Sequence, residues 1–529
     1  MPFDEETLKK FKLIPNPYYD GDYGEGDYPK TLVEIRLIKM MGLIINKIDW
    51  ICKLRDATIK TRWMDEFKEQ GFNDKEIQYC MEELEYWSTT EPLISSIESS
   101  FQSDELIYSS LKQELKDFAS QLENVDEKKK DWHPNSNNQV LDLIHPSLYC
   151  FVNGRTLAID NNTSIQPPFR QFMGKGTPKT LKLPHNHSYM WIPAEVIVKD
   201  GNAKFTSYIN NLHPFVYEKE YKVIESILSK FIPLFAKAIA YQTIKFDHRI
   251  NIDPYTWYDS LQEPKEEDFA NQDEYYEAAD QWYEERIATQ PSIPTFKPPL
   301  VLPDPIDMRN CNLQVIVKMA NIHLTPNNPS YPGGSWHIEG TEAENICATG
   351  IYYYDIHNIT DSYLQFRKSV SEPNYEQSDD NGVEAVFGLV NDEPLNQEMG
   401  HIQIFENRCI CFPNMYQHRV EPFELLNKKI PGHRKIICFF LIRPSDSILS
   451  TSSISPQQLN WFKDYMAHST DTVTKLPELV KDKIDLYTNW PMSLKEAKEH
   501  RLKLMEERKG YIENRNENLF EREFSLCEH

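Results

Sequence analysis

The chain has 529 residues, 40% hydrophobic and 12% aromatic, which is enough apolar material for a sizeable core and too much for wholesale disorder. Asp and Glu outnumber Lys and Arg by 81 to 57, and the net charge of −24 speaks against a nucleic-acid duplex or an anionic membrane surface as partner. A basic peptide or a cationic small molecule would be attracted instead.

In chain order, residues 1–30 are rich in Pro, Gly, Tyr and Asp and read as an irregular leader. Its opening, MPFDEETLKK, is charged and lacks an apolar signal core. Leu32, Ile35, Ile38, Met41, Ile45 and Ile48 then recur at helical spacing, and charged helical stretches follow over 64–87 and 104–122. The apolar run 40–45 is far short of the ~20 residues of a membrane span. The polar segment DEKKKDWHPNSNN (126–138) closes a mainly helical region, 1–138. Residues 139–300 mix strand and helix signals. SLYCFVNGRTLAI and MWIPAEVIVKDGNAKFTSYI read as strands, Ile224, Ile227, Leu228 and Phe231 as a helix running into Pro233, and 263–285 as an acidic solvated helix or insertion.

After the proline-rich stretch 291–307 come seven strand-like runs: LQVIVKMANIHLTP, SWHIEG, NICATGIYYYDI, SYLQFRK, AVFGLV, HIQIFENRCICFP and KIICFFLIRP. They argue for a β-sandwich or rolled barrel over 301–446. A helical extension, 447–529, follows, with Ser493 and Glu496 as a capping box. Of the nine cysteines none forms C-x-x-C; Cys409 and Cys411 would share one strand face, and without a second pair they read as reduced, packed thiols. A cytoplasmic protein is expected, with a nuclear one compatible.

The chemistry concentrates in Trp336-His337-Ile338-Glu339-Gly340. On a strand, His337 and Glu339 point to the same face, which supplies one imidazole and one carboxylate of a 2-His-1-carboxylate metal site. Alone, His-x-Glu is a weak signal. The remaining imidazole could come from His357, His401, His418 or His433. His418 fits best, since in FPNMYQHRVEP a strand enters a Pro-Asn turn and the His opens the next strand; His401 is the fallback. Gly333, Gly334 and Ser335 would let the backbone turn tightly into the metal-bearing strand.

Together, His337-Ile338-Glu339, the strand Cys347-Ala348-Thr349-Gly350-Ile351-Tyr352-Tyr353, His418-Arg419-Val420-Glu421-Pro422 and Arg434-Lys435-Ile436-Ile437-Cys438 resemble the iron(II)- and 2-oxoglutarate-dependent dioxygenases, in their prolyl-hydroxylase-like branch. The whole chain also resembles a group of large fungal proteins that carry PGGSWHIEG and an HPSLY segment. The resemblance implies an α+β protein with a double-stranded β-helix (jelly-roll, cupin-like) core. It implies Fe(II) on His337, Glu339 and His418, and 2-oxoglutarate and O2 as co-substrates. Arg434 would pair with the distal carboxylate of 2-oxoglutarate, helped by the Tyr353 hydroxyl. The reaction implied is hydroxylation of a small-molecule or peptide substrate, with 2-oxoglutarate decarboxylated to succinate. Homodimerisation is left open.

Two departures qualify the resemblance. Glu339 replaces the commoner Asp, as in Jumonji-type oxygenases, which raises a Jumonji-like protein oxygenase or demethylase as an alternative. That branch uses a Lys soon after His-x-Glu, whereas this chain reads Tyr354-Asp355-Ile356-His357 there and offers only the later Lys368. The stretch ELLNKKIPGH between His418 and Arg434 is enlarged and would form a long hairpin. A β-barrel that has lost catalysis and serves as a binding scaffold is the third reading.

Overall fold

The computed structural model describes residues 3–18, 27–159, 177–243, 249–250, 262–288, 291–299, 302–375, 380–468, 477, 490–523 and 525. Parts of the leader (19–26), of the proline-rich stretch (300–301) and of the C-terminal extension (469–476, 478–489) lie outside the described residues.

Three N-terminal helices, α1 (Leu32–Ile45), α2 (Ala57–Glu69) and α3 (Asp74–Thr90), enclose a core containing Leu37, Met40, Ile44, Trp63, Ile77 and Leu84. The single helix expected over 64–87 is two. The chain turns at Gly71, whose φ is +85°, and restarts at Asn73, whose side chain forms a reciprocal capping box with Glu76. Helix α4 (Ser109–Glu123) follows.

Eight strands form one antiparallel sheet: β1 (Phe101–Ser103), β2 (Val140–Ile144), β3 (Ala194–Lys199), β4 (Asn202–Phe205), β5 (Cys311–Leu324), β6 (Ile346–His357), β9 (Cys409–Pro413) and β11 (Gly432–Ile442). Their order is β1-β9-β6-β11-β5-β3-β4, with β2 also paired to β5. Strands β7 (Ser362–Ser369), β8 (Asn396–Ile404) and β10 (Gln417–Val420) form a second antiparallel sheet with β7 in the middle. The protein is therefore mixed α and β with antiparallel sheets.

The period of two along each strand decides what lies on which side. On β11, Ile437, Phe439 and Leu441 face helix α5 (Glu218–Gln242) in one core. Cys438, Phe440 and Ile442 face the other way, toward Leu364, Phe366, Ile402 and Ile404 of the three-stranded sheet. The space between the sheets is thus a second core, and the site lies at its edge.

Helix α5 does not stop at Pro233 but runs through it. The missing N–H costs a helical hydrogen bond, but Ile227, Leu228, Phe231, Ile232, Leu234 and Phe235 are all buried, and that burial outweighs the loss. Its approach to the sheet is close: a Cβ on Gly350 would stand 2.6 Å from Phe231 Cδ1. Gly350→Ala is expected to destabilise the protein by about 1–3 kcal/mol through overpacking, read as a lower urea midpoint with an unchanged slope.

Helix α6 (Gln272–Ala288) begins inside the acidic stretch 263–285 and runs just past it. AVFGLV, expected as a strand, instead ends helix α7 (Asp380–Phe387), which buries Val383, Val386 and Phe387 at helical spacing. Helix α8 (Leu494–Arg515) starts at Ser493, whose side chain accepts the Glu496 N–H. No helix among the described residues is long and apolar enough to cross a membrane.

Candidate metal centre and its surroundings

A turn delivers the metal-bearing segment. Gly333 has φ +88°, and a Cβ there would stand 2.7 Å from the Val420 carbonyl, so only glycine fits. The Gly334 N–H donates to that carbonyl at 2.9 Å. The chain then pairs with the start of β10, the His337 N–H donating to the His418 carbonyl (3.2 Å) and the His418 N–H to that of His337 (2.9 Å). SWHIEG is thus one antiparallel bridge rather than a full strand.

Residues directly opposite in such a pair carry their side chains on one face, and the two imidazole centroids are 4.4 Å apart. Glu339, two residues on, turns to the same face. Its Oε1 lies 3.8 Å from His337 Nε2 and 3.5 Å from His418 Nε2.

His337 Nδ1 donates to the Ser335 carbonyl at 2.8 Å, which leaves the Nε2 lone pair free on the Glu339 side. Burial works to raise the Glu339 pKa, but His337, His418 and Lys318 outweigh it and hold the carboxyl well below its usual range. Burial disfavours charge on both imidazoles. At His337 the Glu339 carboxylate wins and the pKa rises; at His418 burial and the neighbouring His337 win and it falls.

A residue missed in the sequence holds Glu339 in place. Asn414 is fully buried; its Oδ1 accepts the Glu339 N–H and its Nδ2 donates to the Glu339 carbonyl, both at 2.9 Å. The Tyr18 hydroxyl donates to the same carbonyl. The only sequence signal was the Pro-Asn turn of FPNMYQH. Asn414→Ala should weaken metal binding about 10–100-fold, the usual cost of losing an outer partner of a ligand. A fluorescence-quench titration with iron(II) would measure it.

Arg434 opens β11 on the inter-sheet face. It is 2% exposed, its Nη1 donates to Ser362 Oγ at 2.6 Å, and its Nε is buried with no partner. Its guanidinium carbon lies 5.5 Å from the Tyr353 ring and 5.1 Å from the Phe423 ring. Among the described residues no carboxylate pairs with it, and burial lowers its pKa. Tyr353 is itself buried, its hydroxyl pushed up to about 12 by desolvation. Lys318 on β5, also missed, faces Glu339 electrostatically.

The other candidates lie elsewhere. His357 and His433 are register partners, with His433 Nε2 2.9 Å from an Asp355 oxygen. His401 is 3.3 Å from Glu421. Lys368 is engaged by Asp27 at 3.0 Å and Glu98 at 3.8 Å. Cys409 and Cys411 are buried and free on the α5 side of the sheet.

A second cluster, His133, Asp142 and His145, also has the donors of a metal site. Here the geometry is that of a hydrogen-bonded group. His133 Nδ1 is 2.8 Å from Asp142 Oδ2, His145 Nδ1 accepts the Ser147 N–H at 3.1 Å, and Arg501 lies 3.8 Å from Asp142. Burial takes the His145 pKa down to about 3.

A family model described as "Protein of unknown function (DUF4246)" matches residues 74–465. No curated protein matches the chain by sequence. Among solved structures, IDO from Bacillus thuringiensis is 11% identical with a TM-score of 0.16, over 25% of this chain and 45% of that one, so the chain spans less than half of its length. The Fe(II)/(alpha)ketoglutarate-dependent dioxygenase TqaL is 12% identical with a TM-score of 0.17, over 45% of this chain and 95% of that one. A bsmA homologue from Methylobium petroleophilum is 10% identical with a TM-score of 0.17, over 50% and 75%. Likenesses this faint carry no argument.

Proposed function

The chain belongs to the DUF4246 family, and from its own residues we propose that it is an iron(II)- and 2-oxoglutarate-dependent oxygenase that hydroxylates a small-molecule or peptide substrate. The observation that carries this reading is the conjunction of two features on one inter-sheet space. One is the His337–Glu339–His418 cluster. The other is the buried guanidinium of Arg434, which has no carboxylate partner among the described residues and an unpartnered Nε. A buried charge without a counter-ion is costly, and a carboxylate-bearing ligand would offset it.

The donor set fits iron(II). The three donor atoms lie within 4.8 Å of one another, close enough for one ion to be held by all three. Two imidazoles and one carboxylate on one face would leave room at a bound ion for a bidentate ligand. Two facing antiparallel sheets with the cluster between them support a jelly-roll reading of the core.

Bound iron would supply oxygen activation coupled to decarboxylation of 2-oxoglutarate. In the balanced reaction a substrate C–H, O2 and 2-oxoglutarate give C–OH, succinate and CO2, each organic product gaining one oxygen atom. The chain's own residues do the rest. His337, Glu339 and His418 fix the ion. Arg434 grips the far carboxylate of 2-oxoglutarate by charge-assisted hydrogen bonds, with Tyr353 beside it. Phe366 and Phe412 pack on the His418 ring and keep water from that side.

The test is anaerobic titration of the metal-free protein with iron(II) and then 2-oxoglutarate. A weak visible charge-transfer band is expected, followed by succinate release on admitting oxygen. Iron binding without a band would remove 2-oxoglutarate from the proposal. No iron binding would leave a non-catalytic binding scaffold.

A further inference from the structure

Arg434 accounts for only one of the cations in the inter-sheet space. Lys318 lies in β5, with Cys438 of β11 as its register partner. Cys438 and Arg434 are four residues apart on the same face of β11, and Ile316, two residues before Lys318, packs into the inter-sheet core. Lys318 therefore shares the space that holds Glu339 and Arg434.

Its surroundings are unusual for a lysine. Burial penalises its charge, and the Glu339 carboxylate is the first influence that restores it. Yet its ammonium makes no hydrogen bond or ion pair with any described residue, and the residue is half-buried. A partly accessible ammonium with no counter-ion among the described residues can pair with a ligand.

An ion on His337, Glu339 and His418 would take up the charge of Glu339. The Lys318 ammonium would then stand near a dication with its nearest counter-charge already committed. An anion arriving with the ion would relieve that repulsion. That anion would sit beside the ion and Lys318, while Arg434 lies against Phe423 and Tyr353. The two cations come from adjacent strands, and their long side chains can address opposite ends of one short dicarboxylate.

Resting on the oxygenase reading above, we infer that Lys318 is the second cation of a two-point clamp: its ammonium pairs with the carboxylate beside the keto group of 2-oxoglutarate, at the ion, while Arg434 takes the far carboxylate. Lys318 is a binding residue for the co-substrate in this scheme. The role is invisible in the sequence, because it depends on β5 lying next to the last strand.

The experiment compares wild type, Lys318→Met, Lys318→Arg and Arg434→Met, all loaded with iron(II) without oxygen. The probes are 2-oxoglutarate and pyruvate, which keeps the keto acid but lacks the far carboxylate. Arg434→Met should lose the preference for 2-oxoglutarate over pyruvate. Lys318→Met should weaken both probes by a similar factor of at least about tenfold, and Lys318→Arg should recover most of it. Iron affinity of Lys318→Met should hold or rise, since a nearby positive charge is gone. If Lys318→Met does not fold, Lys318→Gln takes its place. Unchanged affinities for both probes would overturn the clamp, and so would a loss confined to 2-oxoglutarate. A wild type that binds iron but neither probe would sink the oxygenase reading itself, which separates the two failures.

Discussion

His418→Ala should abolish the function outright while leaving a folded protein. His418 supplies one of three ligand atoms within 4.8 Å of one another, and no other described His reaches them. Losing even an outer partner of a ligand costs about 10–100-fold in metal affinity, so losing the ligand should cost at least about 100-fold. The visible band with 2-oxoglutarate should vanish, and succinate release with it. The matched control is His401→Ala. His401 also opens a strand-like run, but it is half-exposed and paired with Glu421, and its removal should leave iron binding untouched. Equal losses in the two variants would mean that the site is not where the geometry puts it.

Arg434→Met should separate stability from binding. In the ligand-free protein the guanidinium is buried with one hydroxyl partner and an unpartnered Nε. Replacing a buried, poorly compensated charge with an apolar side chain of similar length stabilises by about 1–4 kcal/mol in comparable cases. The variant should therefore unfold at a higher denaturant concentration. In the liganded state the sign reverses. A buried charge pair missing one partner costs about 3–5 kcal/mol, so 2-oxoglutarate should bind at least about 100-fold more weakly. Iron affinity should not move. A variant less stable and equally able to bind 2-oxoglutarate would show that the arginine is structural.

Much of this was legible in the residues, and the rest was hidden for definite reasons. His337 and Glu339 could be read as one face because the strand period is two, and the structure puts them on one face even though the segment forms a single bridge. The strands β5, β6 and β11 were equally plain as apolar runs, and they do not alternate because the sheet is covered on both sides. AVFGLV was misread because a six-residue apolar run does not separate strand from helix. The spacing of Val383, Val386 and Phe387 was the clue. Pro233 was given too much weight, since local propensity yields when a helix is buried along its length. Asn414 and Lys318 were beyond reach, because their partners lie far away in sequence and only the pairing of strands brings them near.

The large sheet also has a consequence for how the chain is made. Helix α5 buries Ile224, Ile227, Leu228, Phe231 and Phe235 in the core it shares with β6, β9 and β11. Those strands begin only at residue 346, more than a hundred residues after the helix. Residues of α4, β3 and β4 in that core are made before the helix, but at a synthesis rate of about 5–20 residues per second the part of α5 that meets β6, β9 and β11 waits for several seconds or more. Contacts between such distant segments form late and slowly. In that interval the nascent chain presents an apolar surface, so yield in a recombinant host should rise with chaperones that hold this helix.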